Sequence, residues 1–297
     1  MTSRLPASPQ ILITGLEQLA SKVPLSTDPA ILSAHLSDAS RAVADGLPLA
    51  VASPTTTSQV AAALSWANEH RVPVSIRGAG SGLSGGAIAY AGGLAISMTA
   101  FDSVEIDPVN MLATVGAGVI TAELDRAAQA HGLIYAPDPV SSELSTIGGN
   151  IATNAGGPRC LAHGVTADAV VSLEVVLADG RVIRSGSKTV KNTSGLNLMP
   201  LFVGSEGTLG VITNAVVRLK PQPRGSRVAF AASFPTLEDA GSAIVQILAS
   251  LPRPESLELM DANTLAAVAS HYPDEPAVPG AAAIVGEFIS ENAEALA

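Results

Sequence analysis

Apolar and polar positions switch between a period near two and a period near three and a half along this chain, and each switch marks an element. Leu47 to Ala52 and Val72 to Ile76 are short apolar runs that read as strands. Between them, Thr57 or Ser58 caps a helix that runs to His70 and keeps Val60, Ala61, Leu64 and Ala67 on its apolar side. Together they make a β-α-β unit. Leu94 to Met98 is the next strand, and Ser103–Ile106 pairs with Ala113–Val115 across Asp107-Pro108. Thr121 caps a helix to Ala130, with Glu123 and Asp125 in its first turn, where the helix dipole favours acids. Ala169–Leu177 and Arg181–Arg184 flank Ala178-Asp179-Gly180, a hairpin signal. Residues 1–45 read as a helical lead-in, entered at Ser8-Pro9 and broken at Asp28-Pro29.

The pattern restarts after a linker, Lys220–Gly225. Arg227–Ala232, Ser256–Leu259 and Ala281–Phe288 read as strands. Thr236 and Asp261 cap the helices between them, and the stripe Ile244, Ile247, Leu248 and Leu251 reads as core. Ser290 reads as the start of one more helix. The domain organisation is therefore a lead-in over 1–45, a main domain over 46–222 and a partial α/β layer over 226–297.

Three glycine clusters are not explained by this periodicity: Arg77–Gly86, Ser145–Gly157 and Gly204–Thr213. Glycine adopts backbone angles closed to other residues and carries no side chain to hold a ligand away. A run of main-chain N–H groups on such a loop can wrap a pyrophosphate. Gly80–Gly85 fits G-x-G-x-x-G, but the nicotinamide fingerprint demands a helix directly after the loop. Here the chain passes through Ala87–Gly93 into a strand, so a Rossmann site is rejected.

Composition narrows the classes further. A net charge of −10 argues against a nucleic-acid surface, and 47% hydrophobic against 14% charged residues supplies core for two domains. Cys160 is the sole cysteine, which rules out an intrachain disulfide and points to a reducing, cytoplasmic setting. The N-terminus lacks a signal peptide, since its apolar patch Ile11–Leu16 is short and runs into Glu17. No apolar run approaches the ~18 residues of a membrane span. His35, His70, His131, His163 and His271 show no metal-ligand spacing, so no metal is expected. Ser205 lacks the G-x-S-x-G setting of a hydrolase nucleophile.

The three clusters, in this order and spacing over about residues 45–222, resemble the PCMH-type FAD-binding domain of the vanillyl-alcohol-oxidase superfamily. Within it the chain is most similar to the FAD-linked oxidases of 2-hydroxy acids: the glycolate oxidase large subunit, D-lactate dehydrogenase and D-2-hydroxyglutarate dehydrogenase. Ser256–Asp261 resembles the opening of that family's cap domain, and it argues against an enolpyruvyl-sugar reductase of the same superfamily. The resemblance implies an α+β fold: a two-lobed FAD domain followed by an incomplete α/β cap. It implies that Arg77, Gly78, Ala79, Gly80, Ser81, Gly82, Leu83 and Ser84 cradle the pyrophosphate. Pro137, Asp138, Pro139, Ser142 and Thr146 would line the middle of the cofactor, with Gly148, Gly149, Asn150, Ile151, Ala152 and Thr153 continuing that contact. Glu206, Gly207, Gly210, Val211 and Ile212 would hold the adenosine side.

Some relatives tether the flavin to a histidine in the first loop, and Ser81 stands at that place, which implies non-covalent FAD. Two departures from the family pattern bear on local packing or flavin-edge contacts: His163 replaces a common tyrosine, and Leu196 and Asn197 stand where tyrosine and aspartate are usual. The implied reaction is oxidation of a small 2-hydroxy acid to the 2-oxo acid by hydride transfer to flavin, with electrons leaving to an acceptor or a partner subunit. Family members run further, so the catalytic residues are expected beyond residue 297 and none is assigned here. The alternative is a non-catalytic FAD-binding module that needs a partner chain to complete a site.

Overall fold

Ala50–Ala52, Leu94–Ser97 and Val74–Arg77 lie side by side in that order as parallel strands, as a β-α-β crossover requires. Leu25–Ser26 pairs antiparallel on the outer edge of Ala50–Ala52. These elements belong to a computed structural model that describes residues 9–189, 191–250, 252–274 and 278–291. The crossover helix spans Thr57–His70. Its cap is Thr56, one residue earlier than the pattern suggests, because the Thr56 hydroxyl accepts from Gln59 N. Val60, Ala63, Leu64, Trp66 and Ala67 are buried on its inner side, and Trp66 stacks on His70 with ring centroids 4.9 Å apart. Val74–Arg77 then delivers the first glycine loop. No helix follows Gly86; the chain turns and enters Leu94–Ser97.

A second, antiparallel sheet has the order Val104–Asp107, Leu112–Gly116, Val211–Arg218, Val170–Val176, Val182–Gly186. Both hairpins read from the pattern are present, and Val211–Arg218 is inserted between them. That insertion carries the third glycine cluster, at its N-terminal end, into the same unit as the first. One core joins the two sheets: Leu94 and Ile96 from the first, Val115, Leu173 and Val217 from the second, and Leu124, Ile147 and Ile151 from helices. Burying each such side chain contributes about 1.5–3 kcal/mol.

One local expectation is corrected, and one helix is added to the pattern. Thr121 opens the helix Thr121–Gln129 but does not cap it; its hydroxyl donates to Ser145 O at 2.9 Å. The second glycine cluster contains a helix, Ile147–Thr153, where propensity reads a turn. Each glycine in a helix costs about 0.5–1 kcal/mol relative to alanine. Close packing overrides this: a Cβ on Gly148 would lie 2.6 Å from Ala117 Cβ and 2.8 Å from Ala117 O. Thr146 caps the helix by accepting from Gly149 N, and Asn154 ends it in the left-handed conformation, φ 48°.

The described part of the lead-in, residues 9–45, belongs to this first unit, with Pro9–Ala20 packed on Thr57–His70. The second unit gathers residues 136–140, residues 156–165 and the chain from Pro221 onward. Its three-stranded antiparallel sheet has the order Ser226–Phe234, Ala282–Ser290, Ser256–Asp261. Thr236 and Asp261 cap the helices Leu237–Ala249 and Ala262–His271, as the pattern predicts. Ala240, Ala282 and Ile284 form its core with Phe230, Phe234, Ile244 and Leu257. Leu248 is exposed instead of buried, and Leu251 lies outside the described residues. Ser290 ends a strand, paired with Ser226, where the sequence suggested the start of a helix.

Candidate cofactor site

The three glycine clusters meet within the first unit around a cavity of about 370 Å³. Its floor is the loop 78–86. Among the described residues, no N–H of this loop has a protein acceptor, whereas Gly80 O and Gly85 O accept from Ala39 N and Ile88 N. The loop therefore presents a row of unpaired donors, the arrangement that receives phosphate oxygens. The adjoining helix behaves differently. The N–H groups of Ile147, Gly148, Gly149 and Asn150 are already taken by Val119 O, Ala117 O, Thr146 Oγ1 and Thr146 O. An anion in this cavity is thus offered the loop, and the helix start is closed to it.

Close approach explains why small residues are needed. A methyl group on Gly78 would overlap Thr146 Oγ1, so the loop and the start of the helix touch directly. A Cβ on Gly210 would lie 2.7 Å from Val175 Cγ1. The third cluster is tied to the helix by Gly204 N donating to Ile151 O (3.0 Å) and Glu206 N donating to Ala152 O (2.8 Å). These bonds hold Glu206 at φ 51°, an unusual angle for a side chain of its size. Among the described residues lining the cavity, Glu206 is the sole ionisable one.

A second cavity of about 420 Å³ shares Ile76, Gly86, Glu206, Gly207, Gly210 and Val211 with the first. Its further walls are largely aliphatic, with Leu64, Ala67, Val72 and Val74, and Asn68, Ser75 and Thr208 provide polar points. Two adjoining chambers, the first lined by a phosphate-type loop, suit a long ligand with ring systems at both ends. The residues present fit FAD on these grounds.

Behind the site, Glu174 anchors the crossover helix to the second sheet. Burial opposes its charge, but hydrogen bonds from Thr57, Arg184, Asn214 and Thr213 outweigh that and hold its carboxyl at about 2. Buried Thr121, Ser145 and Asn150 form a further tie: Asn150 Nδ2 donates to Thr121 Oγ1 at 2.6 Å, and Thr121 Oγ1 lies 3.0 Å from Ser145 Oγ.

The cavity brings together most of the residues expected from the sequence: Gly78–Ser84, Thr146, Gly148, Gly149, Asn150, Ala152, Thr153, Glu206, Gly207, Gly210, Val211 and Ile212. Arg77 is not among the lining residues; its guanidinium binds Ser37 O and Ala87 O. Ile151 is fully buried in the core, and Ser141 lines the cavity in place of Ser142. Pro137, Asp138 and Pro139 belong to the second unit, where Asp138 pairs with Arg159 at 2.7 Å. His163 belongs there too, with Nε2 2.6 Å from Glu255 Oε1. Ser145 and Ala155 join the wall from within the second cluster, and Met98 and Ala117 line it without standing out in the sequence, since a single aliphatic residue carries no spacing signal. No metal-binding group of three or more ligands occurs among the described residues, and no helix among them is long and apolar enough to cross a membrane.

Comparison with known families supports FAD as the cofactor of this fold. An FAD binding domain matches residues 48–186, and the C-terminal domain of FAD linked oxidases matches residues 223–297. The chain belongs to the FAD-linked oxidases. It is 48% identical over 211 residues to a D-lactate dehydrogenase of Archaeoglobus fulgidus, covering 71% of this chain and 47% of that one. It is 44% identical over 220 residues to the glycolate oxidase subunit GlcD of Bacillus subtilis, covering 74% and 47%. A D-2-hydroxyglutarate dehydrogenase of Xanthomonas citri is 35% identical over 265 residues, covering 89% and 56%. The chain spans about half the length of these relatives. Among solved structures, alkyldihydroxyacetonephosphate synthase superposes with a TM-score of 0.75 at 23% identity, covering 98% of this chain and 57% of that one; this likeness concerns the fold alone.

Proposed function

We propose that this chain is the flavin-binding part of an oxidoreductase that converts a small 2-hydroxy acid, such as glycolate, D-lactate or D-2-hydroxyglutarate, to the 2-oxo acid. The observation that carries the reading is the loop of unpaired N–H donors lining the first of two adjoining cavities. FAD bound there supplies a hydride acceptor. The loop 78–86 binds its pyrophosphate, and Gly148 and Gly149 let the backbone close on its middle section. Glu206 stands at the wall shared by both chambers, where a carboxylate can accept hydrogen bonds from ribose hydroxyls. Ser81 offers no imidazole for a covalent tether, so the cofactor is held non-covalently. Electrons leave to an acceptor or a partner subunit, and the reading places the chain in the cytoplasm.

One observation favours a narrower reading. Among the described lining residues the cavity offers no ionisable group besides Glu206, so the base for a hydroxy acid comes from elsewhere. In this reading the chain is an FAD-binding module completed by a partner.

An absorption spectrum of the purified chain, before and after anaerobic addition of glycolate, D-lactate and D-2-hydroxyglutarate, tests both. A flavin band that bleaches with one acid supports the oxidoreductase. A stable band that bleaches only after a second chain is added supports the module. Absence of flavin after reconstitution with FAD sinks the cofactor reading, and flavin retained after denaturation sinks the non-covalent one.

A further inference from the structure

We propose that Arg77 and Asp38 act as positioning residues that shape the loop 78–86 for an anion without touching it; this rests on the FAD reading above. Arg77 is the last residue before the loop and Ala87 the first after it. Arg77 Nη1 donates to Ala87 O at 3.3 Å and to Ser37 O at 2.8 Å, so one side chain closes the loop across its base. Gly80 sits at φ +73°, and a methyl group there would overlap the guanidinium. The loop is therefore folded over the arginine, as over a strut.

Asp38 braces the same point from outside. Its Oδ2 accepts from Ala87 N at 3.4 Å, its Oδ1 accepts from Ser40 N at 2.9 Å, and its charge acts on Arg77. The neighbouring Ala39 N donates to Gly80 O at 3.0 Å. The stretch 37–40 thus holds the loop at its base and near its first turn. By engaging Gly80 O, it fixes a loop peptide while the loop's N–H groups stay without protein acceptors. Neither Arg77 nor Asp38 lines either cavity. The stretch also precedes residue 48, where the FAD binding domain match begins, so the match assigns it no role.

The test is FAD affinity of the flavin-free full chain, read by flavin fluorescence, together with thermal midpoints, for R77A, R77K, D38A, D38N and the double variant R77A/D38A. R77A and D38A each weaken FAD about tenfold, the change that corresponds to about 1.4 kcal/mol. The double variant loses no more than R77A alone, because the two act as one brace. D38N, which keeps an acceptor for Ala87 N, recovers part of the loss. R77K recovers little, because an ammonium lacks the planar guanidinium over which the loop folds at Gly80. Unchanged FAD affinity in both single variants overturns the inference, and so does a loss that merely follows the thermal midpoint across the set. D38N keeps the test decisive if R77A fails to fold. A wild-type chain that takes up no FAD defeats the cofactor reading instead, which separates the two failures.

Discussion

Gly78 and Thr146 touch so closely that a single methyl group on Gly78 would occupy the place of Thr146 Oγ1. The contact joins the first glycine loop to the helix of the second cluster, and the same hydroxyl accepts from Gly149 N. Gly78→Ala must therefore displace Thr146 or bend the loop, and overpacking of this kind costs about 1–3 kcal/mol. Thr146→Ala alone removes a cap, at about 1 kcal/mol. The double variant should be more stable than the sum of the two losses, because the second change removes the atom struck by the first. Denaturant midpoints of the four proteins decide it; strict additivity would show that the two residues are not in contact in solution.

Glu174 gives the fold an acid-sensitive joint. Its carboxyl titrates at about 2 in the folded chain against an ordinary 4.5, so the folded state binds its proton less readily than the unfolded one. The stabilisation is complete above the ordinary value and is lost as pH falls from there towards about 2. Glu174→Gln should lower the thermal midpoint at neutral pH, and the gap to wild type should close on acidification through that window. A gap that stays constant with pH would refute the account.

Glu206 separates stability from binding. Its positive φ costs a non-glycine residue about 1–2 kcal/mol. Glu206→Gly relieves this while adding freedom to the unfolded chain, worth about 0.5–1 kcal/mol the other way. The thermal midpoint of the flavin-free variant should stay close to wild type while FAD affinity falls. A variant that keeps wild-type affinity would remove Glu206 from the site.

Asn150 supports the helix from within. It is buried, and Asn150→Ala leaves the Thr121 hydroxyl without its amide donor, a loss of about 1–3 kcal/mol. Urea unfolding should show the full loss without flavin as well as with it. A loss seen only with flavin bound would make Asn150 a ligand residue first.

Elements that carry their own local signal were readable from the sequence. The two hairpins, the crossover helix and the caps at Thr236 and Asp261 follow from periodicity and turn chemistry. The helix Ile147–Thr153 was not readable, because its reason lies in Ala117, far away in the chain, against which only a glycine fits. The placement of Arg77 was not readable for a related reason. A cation beside a glycine loop suggests a ligand contact, and only the positions of Ser37 and Ala87 show that its Nη1 bonds go to protein carbonyls. The cavity residues were legible as clusters, since glycine and small hydroxyls stand out in composition. Single wall residues such as Met98 and Ala117 were not.

The chain has one tryptophan, Trp66, held 7% exposed against His70 on a helix that also supplies Leu64 and Ala67 to the second cavity. Its ultraviolet emission therefore comes from a single place, and isoalloxazine absorbs in that emission range. The molecule contains a built-in donor dye: quenching of its glow during loading would follow occupancy in real time, with no label attached.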